Sequence, residues 1–219
     1  MESGRQSYIT VTGIILSSQP IGEYDRRIVL LTKEKGKISC FARGARRQGS
    51  TLMSAGSFCF GTYRIYASRN SYVMVEAQVR NFFRTLAQDV EGALYGSYFL
   101  EVMDYVTREN NDETQLLILL YQSLRALEAE NIDNRLVRAV FEIKTVMLEG
   151  EFPMPDPGAG YSEGTLYSVR HIGESRVSAL YTFTVSEQVL AELEKIAASA
   201  MKRSLGHKFV SLDILKAML

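Results

Sequence analysis

The sequence predicts an α+β protein, in which a small N-terminal β-barrel is followed by an α-helical bundle carrying a small irregular hairpin insert. Three observations predict it. Up to Arg80, short alternating apolar stretches are bounded by turn residues, the pattern of half-buried strands. Past Asn81 the apolar residues recur at three and four, as in helices. Charge divides at the same place: residues 1–84 hold 13 Lys and Arg against 5 Asp and Glu, and the remaining 135 hold 12 against 20. A formal net charge of zero thus hides a basic end at +8 and an acidic end at −8.

Five strands are predicted, over residues 8–16, 24–32, 36–43, 58–67 and 72–79. Lys33-Glu34-Lys35-Gly36 and Ser68-Arg69-Asn70-Ser71 read as hairpin turns, where Gly36 and Asn70 tolerate the positive φ such turns often need. The connection over 44–56 is too irregular for a sixth strand. Five short strands with a longer connection between the third and fourth suit a closed OB-type barrel, although an SH3-like barrel has similar strand statistics.

Helices are predicted over 89–107, 113–130 and 134–149, with Asp112 and Asp133 as N-caps of the second and third. Leu136, Val137, Val140, Ile143, Thr145 and Met147 give the third a broad apolar face, and Gly150 followed by Pro153, Pro155 and Pro157 ends it. Leu116, Leu117, Leu119, Leu120, Leu124 and Leu127 read as core of the second. Two further helices are predicted over 186–202 and 211–218. Between them lies the insert at 151–184, with a hairpin over 165–170. The domains are then residues 1–80 and 81–219.

Composition excludes several classes. Hydrophobic residues at 46% are ordinary for a globular domain, which excludes disorder. No 18 apolar residues run without a charge, and the first fifteen residues lack the pattern of a secretion signal, so a cytosolic protein is expected. Cys40 and Cys59 each sit in an alternating apolar stretch and read as buried reduced thiols, with a disulfide between them left open. No phosphate loop, dinucleotide fingerprint or nucleophile elbow is present. His171 reads as a surface residue and His207 as a helix-end residue, while Glu192 with Glu194 and Asp112 with Glu113 read as solvated helix faces. No enzyme activity is expected.

The cluster Arg43-Gly-Ala-Arg46-Arg47-Gln-Gly concentrates positive charge in a flexible loop at the end of a strand. Guanidinium groups there can neutralise phosphates and release condensed counterions, which yields salt-dependent, sequence-independent affinity. Arg26, Arg27, Lys33, Lys35 and Lys37 flank the second hairpin, and Arg64 and Arg69 lie near the fourth strand. Tyr24, Phe41, Tyr63, Tyr66 and Tyr72 are interleaved with this charge, each either a base-stacking ring or part of a small core.

Specific runs carry a family resemblance: Gly13-Ile-Ile-Leu16, Pro20-Ile-Gly-Glu23-Tyr-Asp25-Arg26-Arg27-Ile28, Leu31-Thr32, Gly36-Lys37, Ala42-Arg-Gly44-Ala-Arg46-Arg47 and Ser50. In this order and spacing they resemble the N-terminal domain of the RecO recombination mediators, and the similarity continues through Phe141-Glu-Ile-Lys144 and Glu149-Gly150. The resemblance implies an OB-fold and a helical domain that together bind single- and double-stranded DNA without sequence preference and anneal complementary strands. It also implies contact with the C-terminal tail of single-stranded DNA-binding protein, and action with RecR to load RecA, in the bacterial cytoplasm at the nucleoid. The phosphate contacts expected are Arg26, Arg27, Lys35, Lys37, Arg43, Arg46, Arg47, Arg64 and Arg69. No cofactor is implied.

One departure stands out. Many members carry a four-cysteine zinc module after the position of Gly150, and this chain has no cysteine there. No zinc is expected, and residues 151–184 read as a metal-free remnant held by Tyr161, Leu166, Tyr167, Val169 and Ile172. The alternative function is a non-enzymatic adaptor whose barrel binds protein.

Overall fold

The computed structural model describes residues 7–53, 55–69 and 71–218. They form two compact units, one joining residues up to Phe83 with Leu100–Leu117, the other Arg84–Phe99 with Ile118–Leu219. In the first unit β1 (Tyr8–Ile21), β2 (Asp25–Thr32), β3 (Gly36–Ala42), β4 (Phe60–Ala67) and β5 (Tyr72–Asn81) close a barrel in the order β1-β2-β3-β5-β4. All pairs are antiparallel except β3 with β5. This is the OB arrangement.

Closure depends on β1, whose first half pairs with β4 from Tyr8 to Ile14 and whose second pairs with β2 from Gly13 to Ile21. Gly13 belongs to both ladders, opposite Gly61 on one side and Thr32 on the other. A Cβ on Gly13 would lie 2.0 Å from the Leu31 carbonyl oxygen, and one on Gly61 2.2 Å from that of Gln78. Only glycine permits this approach. The sequence predicts that β1 stops at residue 16, where apolar residues end. It continues to Ile21 because β2 offers a ladder to Ser17, Ser18 and Gln19, after a register shift between Ile15 and Ser17 that bends the strand.

β4 starts at Phe60 instead of residue 58. Phe58 has φ 69°, outside strand geometry, and residues 58 and 59 bond Ile15, Phe58 N donating to its carbonyl at 3.1 Å and Ile15 N to Cys59 O at 3.0 Å. The connection over 43–59 lends Ala45, Leu52, Ala55 and Cys59 to a core shared with Val11, Ile28, Leu30, Ile38, Cys40, Tyr63 and Ile65. Both cysteines are buried and free, and burial, with the Glu109 charge second, pushes the Cys40 thiol up to about 12. Tyr63 is core, its hydroxyl donating to Cys59 O at 2.8 Å. Gly36 follows the β2–β3 turn at φ 63°, as expected. Ser68 N donates to Ser71 O at 2.7 Å in the β4–β5 turn, and the role expected of Asn70 lies outside the described residues.

The helices are α1 (Arg84–Gln88), α2 (Val90–Val106), α3 (Thr114–Leu127), α4 (Asn134–Leu148), α5 (Glu163–Glu174), α6 (Glu187–Leu205) and α7 (Val210–Met218). None among the described residues is long and apolar enough to cross a membrane. Asp133 caps α4, accepting from Arg135 N at 2.8 Å. Asp112 lies one residue too early to cap α3: it accepts from Thr114 N at 3.1 Å, and the Glu113 carbonyl takes the first helical bond, from Leu117 N. The six leucines of α3 are buried.

The hairpin expected over 165–170 is instead helix α5. Thr165, Ser168, Val169 and Ile172 are its buried residues, a spacing of three and four that the β-branched composition disguises. Ser162 caps it, accepting from Thr165 N at 3.3 Å. Nothing here fits a tetrahedral zinc: the segment has no cysteine, and no three His, Cys, Asp or Glu among the described residues gather as metal ligands.

Glu192 and Glu194 are not a solvated face. Glu192 accepts from the Thr165 hydroxyl at 2.7 Å and from Ser162 N at 2.9 Å, and these bonds, with one from Gln188, hold its carboxyl at about 2. Glu194 pairs with Arg135 at 2.7 Å and Arg138 at 3.3 Å. His171 is half-buried, stacked on Tyr167 and edge-on to Phe183. α4 is buried on nearly every side from Leu136 to Val146, beyond the single apolar face its pattern predicts. Two of its polar members find partners inside: Glu142 Oε1 accepts from the Tyr98 hydroxyl at 2.8 Å, and Lys144 Nζ donates to the carbonyls of Ile172 (2.8 Å), Gly173 (3.0 Å) and Ser175 (3.0 Å), while Glu142 Oε2 and Thr145 Oγ1 are buried without a hydrogen-bond partner among the described residues.

Two outcomes follow for stability. Lys144→Met leaves the last carbonyls of α5 without their donor and should lower the unfolding free energy in urea by about 1–3 kcal/mol; an unchanged midpoint would refute the role. A carboxyl depressed in the folded state adds stability that is lost as pH falls from about 4.3 toward 2. Glu192→Gln should flatten the acid limb of a stability-against-pH curve in that window, and an identical limb would refute the assignment.

Candidate nucleic-acid interface

The basic loop is fastened to the β1–β2 turn. After β3 the chain folds through successive turns, Arg47 N donating to Gly44 O at 3.0 Å and Ser50 N to Arg47 O at 3.1 Å. Gly44 N donates to Asp25 Oδ1 at 2.8 Å, Arg46 N to Tyr24 O at 2.9 Å, and Arg46 Nη1 to Gly22 O at 3.2 Å. The Arg47 guanidinium lies 4.8 Å from the Tyr24 ring centroid, a contact worth about 0.5–1 kcal/mol at an exposed site. Arg43, Arg46 and Arg47 are exposed, and none pairs with a carboxylate among the described residues. Arg46 is positioned by a carbonyl and Arg47 by a ring, neither of which neutralises a guanidinium, so their charge stays available to an anion.

Arg27 joins this group from the outer face of β2, with Nε donating to Ser39 Oγ at 3.2 Å. It stands opposite Phe41 in the β2–β3 ladder. Phe41 (36% exposed) and Tyr24 (41%) are rings that the barrel leaves open. The surface therefore combines four arginines with two rings.

The other expected residues are placed elsewhere. Arg26 is half-buried and donates to Ser18 Oγ at 3.0 Å, while that hydroxyl donates to Ala55 O at 3.1 Å, so Arg26 braces the loop from beneath. Lys35 and Lys37 lie at the β2–β3 turn, the far end of an eight-residue strand that spans about 23 Å. Lys37 Nζ bonds the Asp104 carboxylate at 2.9 Å, and Asn110 N donates to Lys35 O at 2.9 Å, which ties this hairpin to the α2–α3 connection. Arg64 pairs with Glu76 at 3.4 Å and lies 5.1 Å from the Tyr8 ring, on the β1–β4 side. Tyr66 packs edge-on against Tyr8, and Tyr72 packs on the core with its hydroxyl bonded to Glu109. Arg69 is exposed in the β4–β5 turn.

Sequence reasoning did not single out Asp25, Ser18 or Tyr8. The signal for Asp25 was present, as an acid directly ahead of Arg26-Arg27 where the β1–β2 turn ends.

The second unit has a cleft of about 530 Å³ beside Glu142. Met201 and Phe209 in its lining are buried, whereas Lys202, Lys208 and Lys216 are exposed. Such a lining suits an apolar segment that carries negative charge.

Comparisons with known proteins agree with this architecture. Residues 6–83 match the family model described as Recombination protein O N terminal, and residues 87–154 match Recombination protein O C terminal. The DNA repair protein RecO of Acetivibrio thermocellus is 28% identical over 245 residues, which covers 97% of this chain and 98% of that protein. That of Bacillus pumilus is 32% identical over 165 residues (74% and 64%), and that of Clostridium perfringens 23% over 235 (93% and 96%).

Asp25→Ala removes the acceptor that holds Gly44, a charge-assisted bond worth about 1.5–3 kcal/mol. Amide exchange over residues 44–50 should quicken while that of β4 stays slow. Unchanged protection of the loop would show that Asp25 does not fasten it.

Proposed function

The chain belongs to the RecO family of DNA repair proteins, and from that membership we propose that its barrel binds single- and double-stranded DNA without sequence preference. Arg27, Arg43, Arg46 and Arg47 are the principal phosphate contacts, Lys35, Arg64 and Arg69 supply weaker positive potential, and Arg26 and Lys37 serve by holding their loops. The observation that carries this reading is the clamp: three exposed arginines held in a fixed loop by backbone carbonyls and a tyrosine ring, with their charge unpaired.

Neutralising phosphates lowers the repulsion between two complementary strands, and this is the physical basis for annealing them. The protein acts without covalent catalysis. With RecR it helps to load RecA onto DNA coated by single-stranded DNA-binding protein. Contact with the C-terminal tail of that protein is supported by the cleft of the second unit, where Met201 and Phe209 offer apolar contact and Lys202 and Lys216 can meet a terminal carboxylate, while Lys208 is paired with Asp213 at 3.1 Å.

Titration of a labelled single strand at several salt concentrations tests the reading. With Arg43, Arg46 and Arg47 all changed to Ala, affinity should fall and the slope of log K against log salt should become shallower by about 2, at about 0.7 per lost phosphate contact. Absence of binding by the unaltered protein at low salt would overturn DNA binding; unchanged affinity of the triple variant would overturn this site.

A further inference from the structure

We infer that Phe41 is the ring on which an unpaired base stacks, which makes this face of the barrel bind a single strand by a contact that a duplex cannot use. The inference rests on the DNA-binding reading above and deepens it. Phe41 points outward from β3 while its neighbours Cys40 and Ala42 are fully buried, so the strand's alternation, not a lack of core space, sets its exposure.

The chemistry around the ring suits a nucleotide. Arg27 is directly opposite Phe41 across the ladder, and its guanidinium is drawn toward Ser39 by the 3.2 Å bond from Nε, away from the ring. Arg43 follows Phe41 by two residues, about 7 Å along the chain. A base on the ring would thus have a cation on either side for its flanking phosphates. Tyr24 differs, because Arg47 already lies over its ring. Phe41 has no ring or cation contact among the described residues. Stacking on an aromatic ring is indifferent to base identity, and a base within a duplex already has both faces covered.

The test uses the full chain and oligonucleotides of mixed sequence. Phe41→Leu keeps an apolar side chain without a π-face; it should weaken single-strand binding about tenfold, within the range of a lost base stack, with the salt slope unchanged because no charge is lost. Duplex affinity should stay within about twofold, which also reports that the barrel is folded. Since the sequence contains no tryptophan, Phe41→Trp installs a lone indole whose emission should be quenched by the single strand and not by the duplex. Undiminished single-strand affinity of Phe41→Leu, equal losses for both forms of DNA, or indole emission indifferent to the single strand would each overturn the inference while DNA binding itself stands. Failure of the unaltered protein to bind would overturn both.

Discussion

The barrel and its basic surface depend on one strand bonded to two partners. β1 gives its first half to β4 and its second to β2, and the exchange occurs at Gly13, where backbone approaches too closely for any side chain. Had β1 ended where its apolar run ends, there would be no ladder to carry the chain out to Ile21 and no place for the turn over 22–24. That turn supplies the carbonyls of Gly22 and Tyr24 and the Asp25 carboxylate that hold the basic loop. The steric demand of a glycine pair inside the barrel and the placement of arginines at its rim are steps of one geometry.

Charge in this protein is of two kinds, and the difference decides which cations are open to an external anion. Lys37, Arg64, Arg135 and Arg138 each have a carboxylate partner, so most of their field is cancelled within a few ångströms. Arg135 is held so firmly by Glu194 and Glu187 that its guanidinium pKa rises above its already high usual value. Arg46 and Arg47 are positioned by carbonyls and a π-face, which orient a guanidinium without neutralising it. The excess of +8 in residues 1–84 is a count, whereas exposed guanidinium groups without a carboxylate partner among the described residues gather on the loop over 43–47 and at Arg27.

Much of this was legible in the sequence, and the misses share a cause. Short apolar stretches bounded by turn residues located all five strands, and three-and-four spacing located the long helices. The end of β1 and the helix over 163–174 went astray because a partner distant in sequence decided them. Ser17 to Ile21 are a strand only because β2 lies alongside. Thr165, Val169 and Ile172 favour a strand locally, but Glu192 seats the helix start while Lys144 takes the carbonyls at its end. The same holds for the charged positions of Phe141-Glu-Ile-Lys144: both are buried, where Tyr98 bonds one oxygen of Glu142 and the end of α5 takes the Lys144 ammonium. In the candidate site the arginines were readable from type and spacing. Which aromatic ring faced outward was not, since Phe41 stands between Cys40 and Ala42, three apolar residues in a row that leave the buried face of β3 undecided until the barrel closes.

Annealing by such a surface requires that a strand be held firmly enough to be presented and loosely enough to be surrendered. Phosphate contacts alone do not make that distinction, because both the single strand and the product duplex carry phosphates. A ring beside the arginines does. While the strand is unpaired, base stacking adds to the electrostatic term; once a complement arrives, the base exchanges the ring for its own partner, and the cations still screen the repulsion between backbones. Under the proposed reading, pairing would remove the stacking contact and leave the phosphate contacts, so the ring would set how far the loop favours an unpaired strand over its product.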